Sequence, residues 1–188
     1  MKTRLTLSLL ALFTFVPAAL AQEGPPQPGP QHKALAMAEG VWDAKVEGMG
    51  PEPATGTSTM KMVLGGFWLE DTFSCDFGGM KFEGRGMTGY DPIKGKYVGT
   101  WTDNMSPALM VTEGTYDEKT RTLTMVGDGY DQTGAKVKMR LLTIHKDANT
   151  VVFEMHQTGA DGKEAKMMTI TYTRHVEKPA GKPAQPMK

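Results

Sequence analysis

Hydrophobic and polar residues alternate along most of the chain, and this alternation is its main structural signal. Around residues 136–146, Val137, Met139 and Leu141 fall on one face of an extended segment, while Lys138 falls on the other. Similar segments recur at regular spacing, separated by turn sequences such as LGGF, FGGM, DPIKGK and ADGKE. Such short connections force neighbouring strands to be antiparallel. The predicted strands are 41–47, 57–64, 67–76, 80–91, 96–104, 108–116, 121–128, 136–146, 150–157 and 164–174.

These segments predict an all-β fold with one short helix. About ten strands joined by hairpins predict a single antiparallel up-and-down β-barrel, either closed or half-open, since closure removes the exposed sheet edges. The one helical pattern is HKALAMAE at 32–39, which Gly40 ends.

The two ends of the chain have compositions of their own. Residues 1–21 combine basic residues, a short apolar run and small residues before Ala21, which predicts a signal peptide cleaved after Ala21 and a periplasmic or secreted protein. The Pro- and Gly-rich residues 22–31 predict an extended arm, and residues 177–188 predict a disordered tail. The barrel domain is therefore predicted at 32–176.

Charge and cysteine content narrow the function classes. The chain has 21 basic and 21 acidic residues, and removal of Lys2 and Arg4 with the signal peptide leaves a charge of −2. This balance does not predict binding to nucleic acid or to an anionic membrane surface. The chain has no second long apolar stretch, so membrane insertion is not predicted, and nothing in the sequence specifies an oligomeric state. Cys75 is the single cysteine, so an intrachain disulfide cannot form. It alternates in phase with Phe73 and Phe77, which favours a buried small residue over a reactive thiol.

Two Gly-x-Trp sequences stand out, and the first has an expected partner. Gly40 and Trp42 open the first strand after the short helix, and Arg174 lies on the apolar phase of the last strand. This order resembles the signature of the lipocalin and calycin superfamily, in which the arginine packs across the tryptophan at the closed end of the barrel. The resemblance implies a structural role for Trp42 and Arg174, and an indole face does attract a guanidinium.

A wider resemblance covers residues 35 to 175. The segments TSTMKMVLGGFWLED, GRGMTGYDPIKGKYVGTWTDNMS and DGKEAKMMTITYTR occur in the order found in a family of secreted bacterial proteins called domain of unknown function 1579. The resemblance implies export and a lipocalin-like barrel, and it implies no catalytic residue.

The second Gly-x-Trp, at Gly99 to Trp101, lies in a hairpin rich in glycine and aromatic residues. Glycines at period two leave space above the backbone, either for the ring of a neighbouring residue or for a ligand. We predict a small, largely apolar ligand inside the barrel, with Asp71 or Asp103 as the polar contact. The predicted apolar lining is Phe73, Phe82, Tyr97, Trp101 and Met110.

Inward carboxylates suggest an alternative. An acidic residue on an apolar phase needs a partner, and for Asp71 the candidates are Arg85, Lys61 or a ligand group. Asp71 with Asp103 or Glu113, converging at the barrel mouth, would allow general acid–base catalysis. A third interpretation is a cell-envelope interaction module that uses an apolar patch on the loop 48–56.

No cofactor or metal site is predicted. The four histidines lack metal-ligand spacing. Paired methionines such as Met167 and Met168 could bind Cu(I), but on strands they favour core packing. The spacing of Gly84, Gly86 and Gly89 imitates a dinucleotide motif without the helix that this motif requires.

Overall fold

The structure is a closed antiparallel barrel in which each strand pairs with its neighbours in the chain and β1 pairs with β10. This computed structural model describes residues 24–131, 133–159 and 161–177. The predicted signal peptide and the tail from residue 178 lie outside the described residues. A short helix, α1 (Pro30–Ala36), precedes the barrel. The strands are β1 (Gly40–Glu47), β2 (Ala54–Val63), β3 (Trp68–Phe77), β4 (Met80–Asp91), β5 (Lys96–Asp103), β6 (Ser106–Asp117), β7 (Thr122–Tyr130), β8 (Lys136–His145), β9 (Thr150–Thr158) and β10 (Glu164–Arg174).

The predicted fold class is confirmed, and every predicted strand corresponds to an observed one. The largest shift is in β2, which begins at Ala54 where 57 was predicted. Helix α1 begins at Pro30 and ends at Ala36, whereas the sequence predicted 32–39. Proline suits the first turn of a helix because the amide hydrogen that it lacks would have no intrahelical partner there.

Helix α1 covers one end of the barrel, which we call the closed end. Leu35 is 2% exposed, and the Ala38 carbonyl accepts a 2.8 Å hydrogen bond from the indole nitrogen of Trp42. The guanidinium of Arg174 lies 4.2 Å from the centroid of the Trp42 ring and donates to the carbonyls of Glu39 and Ala148, both at 3.0 Å. These contacts tie the ends of β1 and β10 to the segment that follows α1.

The geometry explains the glycine of the first Gly-x-Trp. Gly40 has a φ of +140°, and a Cβ at this position would overlap the Nη1 atom of Arg174. Glycine is therefore required both by the backbone conformation and by the approach of the guanidinium to Trp42.

The opposite end, which we call the mouth, carries the β1–β2, β3–β4, β5–β6, β7–β8 and β9–β10 hairpin connections. Inward side chains alternate with outward ones along the strands, as in β1, where Trp42, Ala44 and Val46 are all under 5% exposed. Across the described ranges, no helix has the length and apolar character needed to cross a membrane.

Candidate binding site in the barrel interior

Trp101 lies flat against the inner wall of the barrel. Its strand, β5, pairs with β4 so that Trp101 is opposite Gly86, with Gly84 one inward position further along β4. A Cβ at Gly86 would lie 3.0 Å from the indole Cε3, and a Cβ at Gly84 would overlap the indole. One face of the indole ring therefore packs against these two glycines, and the other face points toward the interior.

Asp103 fixes the orientation of this ring. Its Oδ2 accepts a 3.0 Å hydrogen bond from the Trp101 indole nitrogen, and its Oδ1 accepts one of 2.9 Å from the Met105 backbone amide. Both carboxylate oxygens are thus occupied within the β5–β6 hairpin. Of the two predicted polar contacts, Asp103 is therefore the one with no oxygen left for a ligand.

Asp71 is the other inward carboxylate, and it lies nearer the middle of the barrel. The hydroxyl of Ser58 donates to its Oδ1 at 2.6 Å. The prediction that Arg85 or Lys61 pairs with Asp71 is wrong, because both residues occupy outward positions of their strands and are exposed. Burial raises the pKa of the Asp71 carboxyl from its ordinary 3.8 to about 6, and the Ser58 hydrogen bond acts in the opposite direction.

Aromatic rings surround this part of the interior. Phe73, 4% exposed, makes edge-to-face contacts with Phe82 at a centroid distance of 5.9 Å and with Tyr172 at 6.3 Å. Burial, followed by the charge of Asp71, raises the pKa of the Tyr172 phenol well above its usual range. Asp71 and the Tyr172 hydroxyl therefore belong to the same interior region.

Methionines contribute to the wall near the mouth. Met110 pairs with Trp101 across β5 and β6. A Cβ at Gly129 would lie 3.4 Å from the Met139 sulfur and 3.9 Å from the Met110 methyl carbon, so these two side chains converge over that glycine. Met155 and Met168 are paired across β9 and β10.

Sequence reasoning did not include several of these residues in the site. The omitted ones are Met139, Phe153, Met155 and Met168. The alternation of β8 and β10 already indicated that Met139 and Met168 face inward. Only barrel closure shows that their strands complete the same interior as β5.

Tyr97 is the predicted lining residue that the structure places apart from the others. It lies at the closed end, 5% exposed, and its hydroxyl donates to the Gln31 carbonyl at 2.9 Å. Its ring contacts Tyr90 at 5.3 Å and Tyr116 at 6.5 Å between centroids. Tyr97 therefore helps to seat α1 and is separated from Trp101 along the barrel axis.

Two surface concavities lie outside this interior. One of about 700 Å³ runs between α1 and the ends of β4 to β7, where Tyr90, Tyr97 and Tyr116 line it. The other, of about 580 Å³, lies on the outer wall around Gly56. Neither concavity includes Trp101, Asp71 or Met110.

The predicted convergence of Glu113 with the inward carboxylates is wrong. Glu113 faces outward, where the ammonium of Lys96 lies 2.7 Å from its carboxylate and that of Lys94 lies at 3.5 Å. The hydrogen bond from Lys96 is the main cause of the lowered pKa of Glu113. Two inward carboxylates, Asp71 and Asp103, remain of the proposed catalytic set, and Asp103 is held by Trp101.

Comparisons with known proteins bear on the family. The solved structures that match the chain include a de novo designed fluorescence-activating β-barrel, with 14% identity and a TM-score of 0.40 over 76% of this chain and 97% of that one. They also include a redesigned β-barrel, with 12% identity and a TM-score of 0.41 over 76% of this chain and 96% of that one. Likenesses this weak carry no functional argument. No curated protein matches the chain. A family model matches residues 27–174, and the chain therefore belongs to the family described as "Protein of unknown function (DUF1579)".

Proposed function

We propose that the protein is exported and binds a small, largely apolar molecule in the mouth half of the barrel interior. The observation that carries this proposal is a group of inward apolar residues toward the mouth that the protein covers only in part. Elsewhere on the inner wall, residues such as Val151 and Tyr172 are 1% and 6% exposed. Several inward apolar residues toward the mouth remain only partly buried. They are Phe82, Trp101, Met110, Phe153, Met155 and Met168.

Partly covered apolar surface favours a ligand for a simple reason. Each Å² of apolar surface that a ligand removes from water contributes about 25 cal/mol. Helix α1 covers the other end of the barrel, so a ligand would enter through the mouth. The indole of Trp101 offers a flat apolar surface. Because Asp103 already fixes its orientation, the Trp101 side chain loses little conformational entropy when a ligand covers it.

The test is a fluorescence titration of the mature full-length protein with N-phenyl-1-naphthylamine, a neutral apolar probe. We expect saturable binding, accompanied by a change in tryptophan emission. Substitution Met110→Gln should weaken binding at least about fivefold, because it places a polar amide of similar size against the ligand.

The adjacent residue provides a matched control. Val111 points outward and is 57% exposed, so the similar apolar-to-polar change Val111→Thr should leave the affinity unchanged. Equal effects of the two variants would assign the probe to the outer surface. Absence of saturable binding, together with native mass spectra that carry no additional mass, would contradict the proposal.

Export has an independent test. Expression of the complete chain in a bacterium should yield a periplasmic or secreted product whose first residue is Gln22. Recovery of a cytoplasmic product that retains residues 1–21 would refute this part of the proposal.

A further inference from the structure

Neither of the two inward carboxylates has a countercharge, but Asp103 uses both of its oxygens within its own hairpin, whereas Asp71 keeps one oxygen without a hydrogen-bond donor among the described residues. Within the described ranges, Asp71 forms no ion pair with a lysine, arginine or histidine. Its hydrogen-bond partner is the neutral hydroxyl of Ser58. Arg174 faces the interior but is engaged at the closed end by Trp42 and backbone carbonyls.

The surroundings of this carboxylate are aromatic. Asp71 is paired with Gly86, and Gly86 is paired in turn with Trp101. Because glycine has no side chain, the indole lies over the strand that separates it from Asp71. Phe73 follows one inward position along β3, and Tyr172 lies close enough for the Asp71 charge to affect its phenol. A carboxylate beside π faces is the combination that recognises an organic cation.

We infer that the ligand is an apolar amine whose ammonium group pairs with Asp71 and whose hydrocarbon part extends along Trp101 and Met110 toward the mouth. This inference rests on the function proposed above and specifies the ligand class. An anionic ligand would be repelled by Asp71, and a neutral one would leave the ionised carboxylate unpaired in a partly dry interior. An ammonium group supplies the missing countercharge and donates to the free oxygen of the carboxylate.

The inference predicts a pH dependence of binding. Among the described residues, the other titratable side chains at inward positions around this region are Cys75, Tyr172, Asp103 and His145. Burial lowers the pKa of His145. Burial raises the pKa values of Cys75 and Tyr172, so both stay neutral in weakly acidic and neutral solution. Protonation of Asp71, whose pKa is raised to about 6, removes the countercharge, so amine affinity should fall as the pH drops through that value.

The experiment compares decylamine, decanol and decanoate as competitors of N-phenyl-1-naphthylamine. At about pH 8, decylamine should displace the probe at about tenfold lower concentration than the other two. The preference should vanish in Asp71→Asn and should decline at about pH 5 in the wild type. The control is Glu70→Gln, which makes the same chemical change at the preceding residue, whose side chain points outward. This variant should keep the preference for decylamine.

The possible outcomes separate this inference from the proposed function. If the three competitors act equally, or decanoate acts best, the amine assignment is refuted while binding in the barrel stands. If decylamine is preferred equally in the wild type and in Asp71→Asn, the assignment to Asp71 is refuted. If neither the probe nor any competitor binds, the proposed function itself fails.

Discussion

The substitution Asp71→Asn provides the sharpest test of the interior electrostatics. Asparagine has nearly the same shape, and its carbonyl oxygen can still accept the hydrogen bond from Ser58. The change therefore removes the charge and keeps the packing. We expect the variant to be more stable than the wild type at neutral pH, the reverse of the usual effect of an interior substitution.

The magnitude follows from the pKa of the carboxyl. Burial moves it from 3.8 to about 6, which means that the folded protein holds the proton more tightly than the unfolded chain. The contribution of Asp71 to the free energy of unfolding therefore decreases as pH rises from about 4 to about 6, by at most about 3 kcal/mol. The asparagine side chain of the variant does not titrate, so the advantage of the variant should be near zero at about pH 4 and largest above about pH 7.

The assay is urea unfolding of both proteins at several pH values, with the difference in unfolding free energy plotted against pH. Taking the difference cancels the contributions of groups that have the opposite effect on the pH dependence of stability. Asp76 and Glu113 are such groups, because hydrogen bonds from lysines lower their pKa values. A pH-independent difference, or a variant less stable than the wild type in weakly alkaline solution, would show that Asp71 is not a desolvated carboxylate. The reasoning about both its burial and its missing countercharge would then be refuted.

Two further predictions concern the two Gly-x-Trp sequences. Gly84→Ala should lower the free energy of unfolding by about 1–3 kcal/mol because the new methyl group overlaps the Trp101 indole. In urea unfolding, the same glycine substitution should cost less when Trp101 has already been replaced by leucine. Additive effects of the two substitutions would contradict the contact. Gly50→Ala, in a loop where a Cβ would have no contact shorter than 3.9 Å, is the control. Arg174→Lys keeps the charge but loses the planar group over Trp42 and should cost about 1–2 kcal/mol, measured as a lower Tm. The exposed Arg85→Lys should have no such effect, and an equal Tm for both variants would argue against a structural role of Arg174.

The fold could be predicted closely because its signals are local. A β-strand shows on every second residue which face is buried, and a hairpin is specified by its own turn residues. The alternation of Val137, Met139 and Leu141 therefore located β8 without knowledge of its neighbours. The start of α1 was placed two residues late, because Pro30 was assigned to the arm although proline is favoured in the first helical turn.

The candidate site could be predicted only in part. Alternation placed Asp71, Trp101 and Met110 on inward faces of their strands. It shows which way a side chain points, but it does not show how far along the barrel axis the residue lies. Tyr97 shares the phase of Trp101 and nevertheless lies under α1, at the other end of the same strand. Likewise, Glu113 was proposed as a third inward carboxylate although register places it outward, beside Lys96.

By itself, the sequence determined the all-β class, the number of strands and the face that each strand buries, because these depend on residues close together in the chain. Only the tertiary structure decided which side chains share a region of the interior, since that depends on register and closure across strands distant in sequence. Ser58 became the partner of Asp71 because β2 pairs with β3 in one particular register. The pairing of β4 with β5 placed the Trp101 indole on Gly84 and Gly86, where Asp103 accepts its hydrogen bond. Asp71 is thus the inward carboxylate that keeps an oxygen without a donor among the described residues.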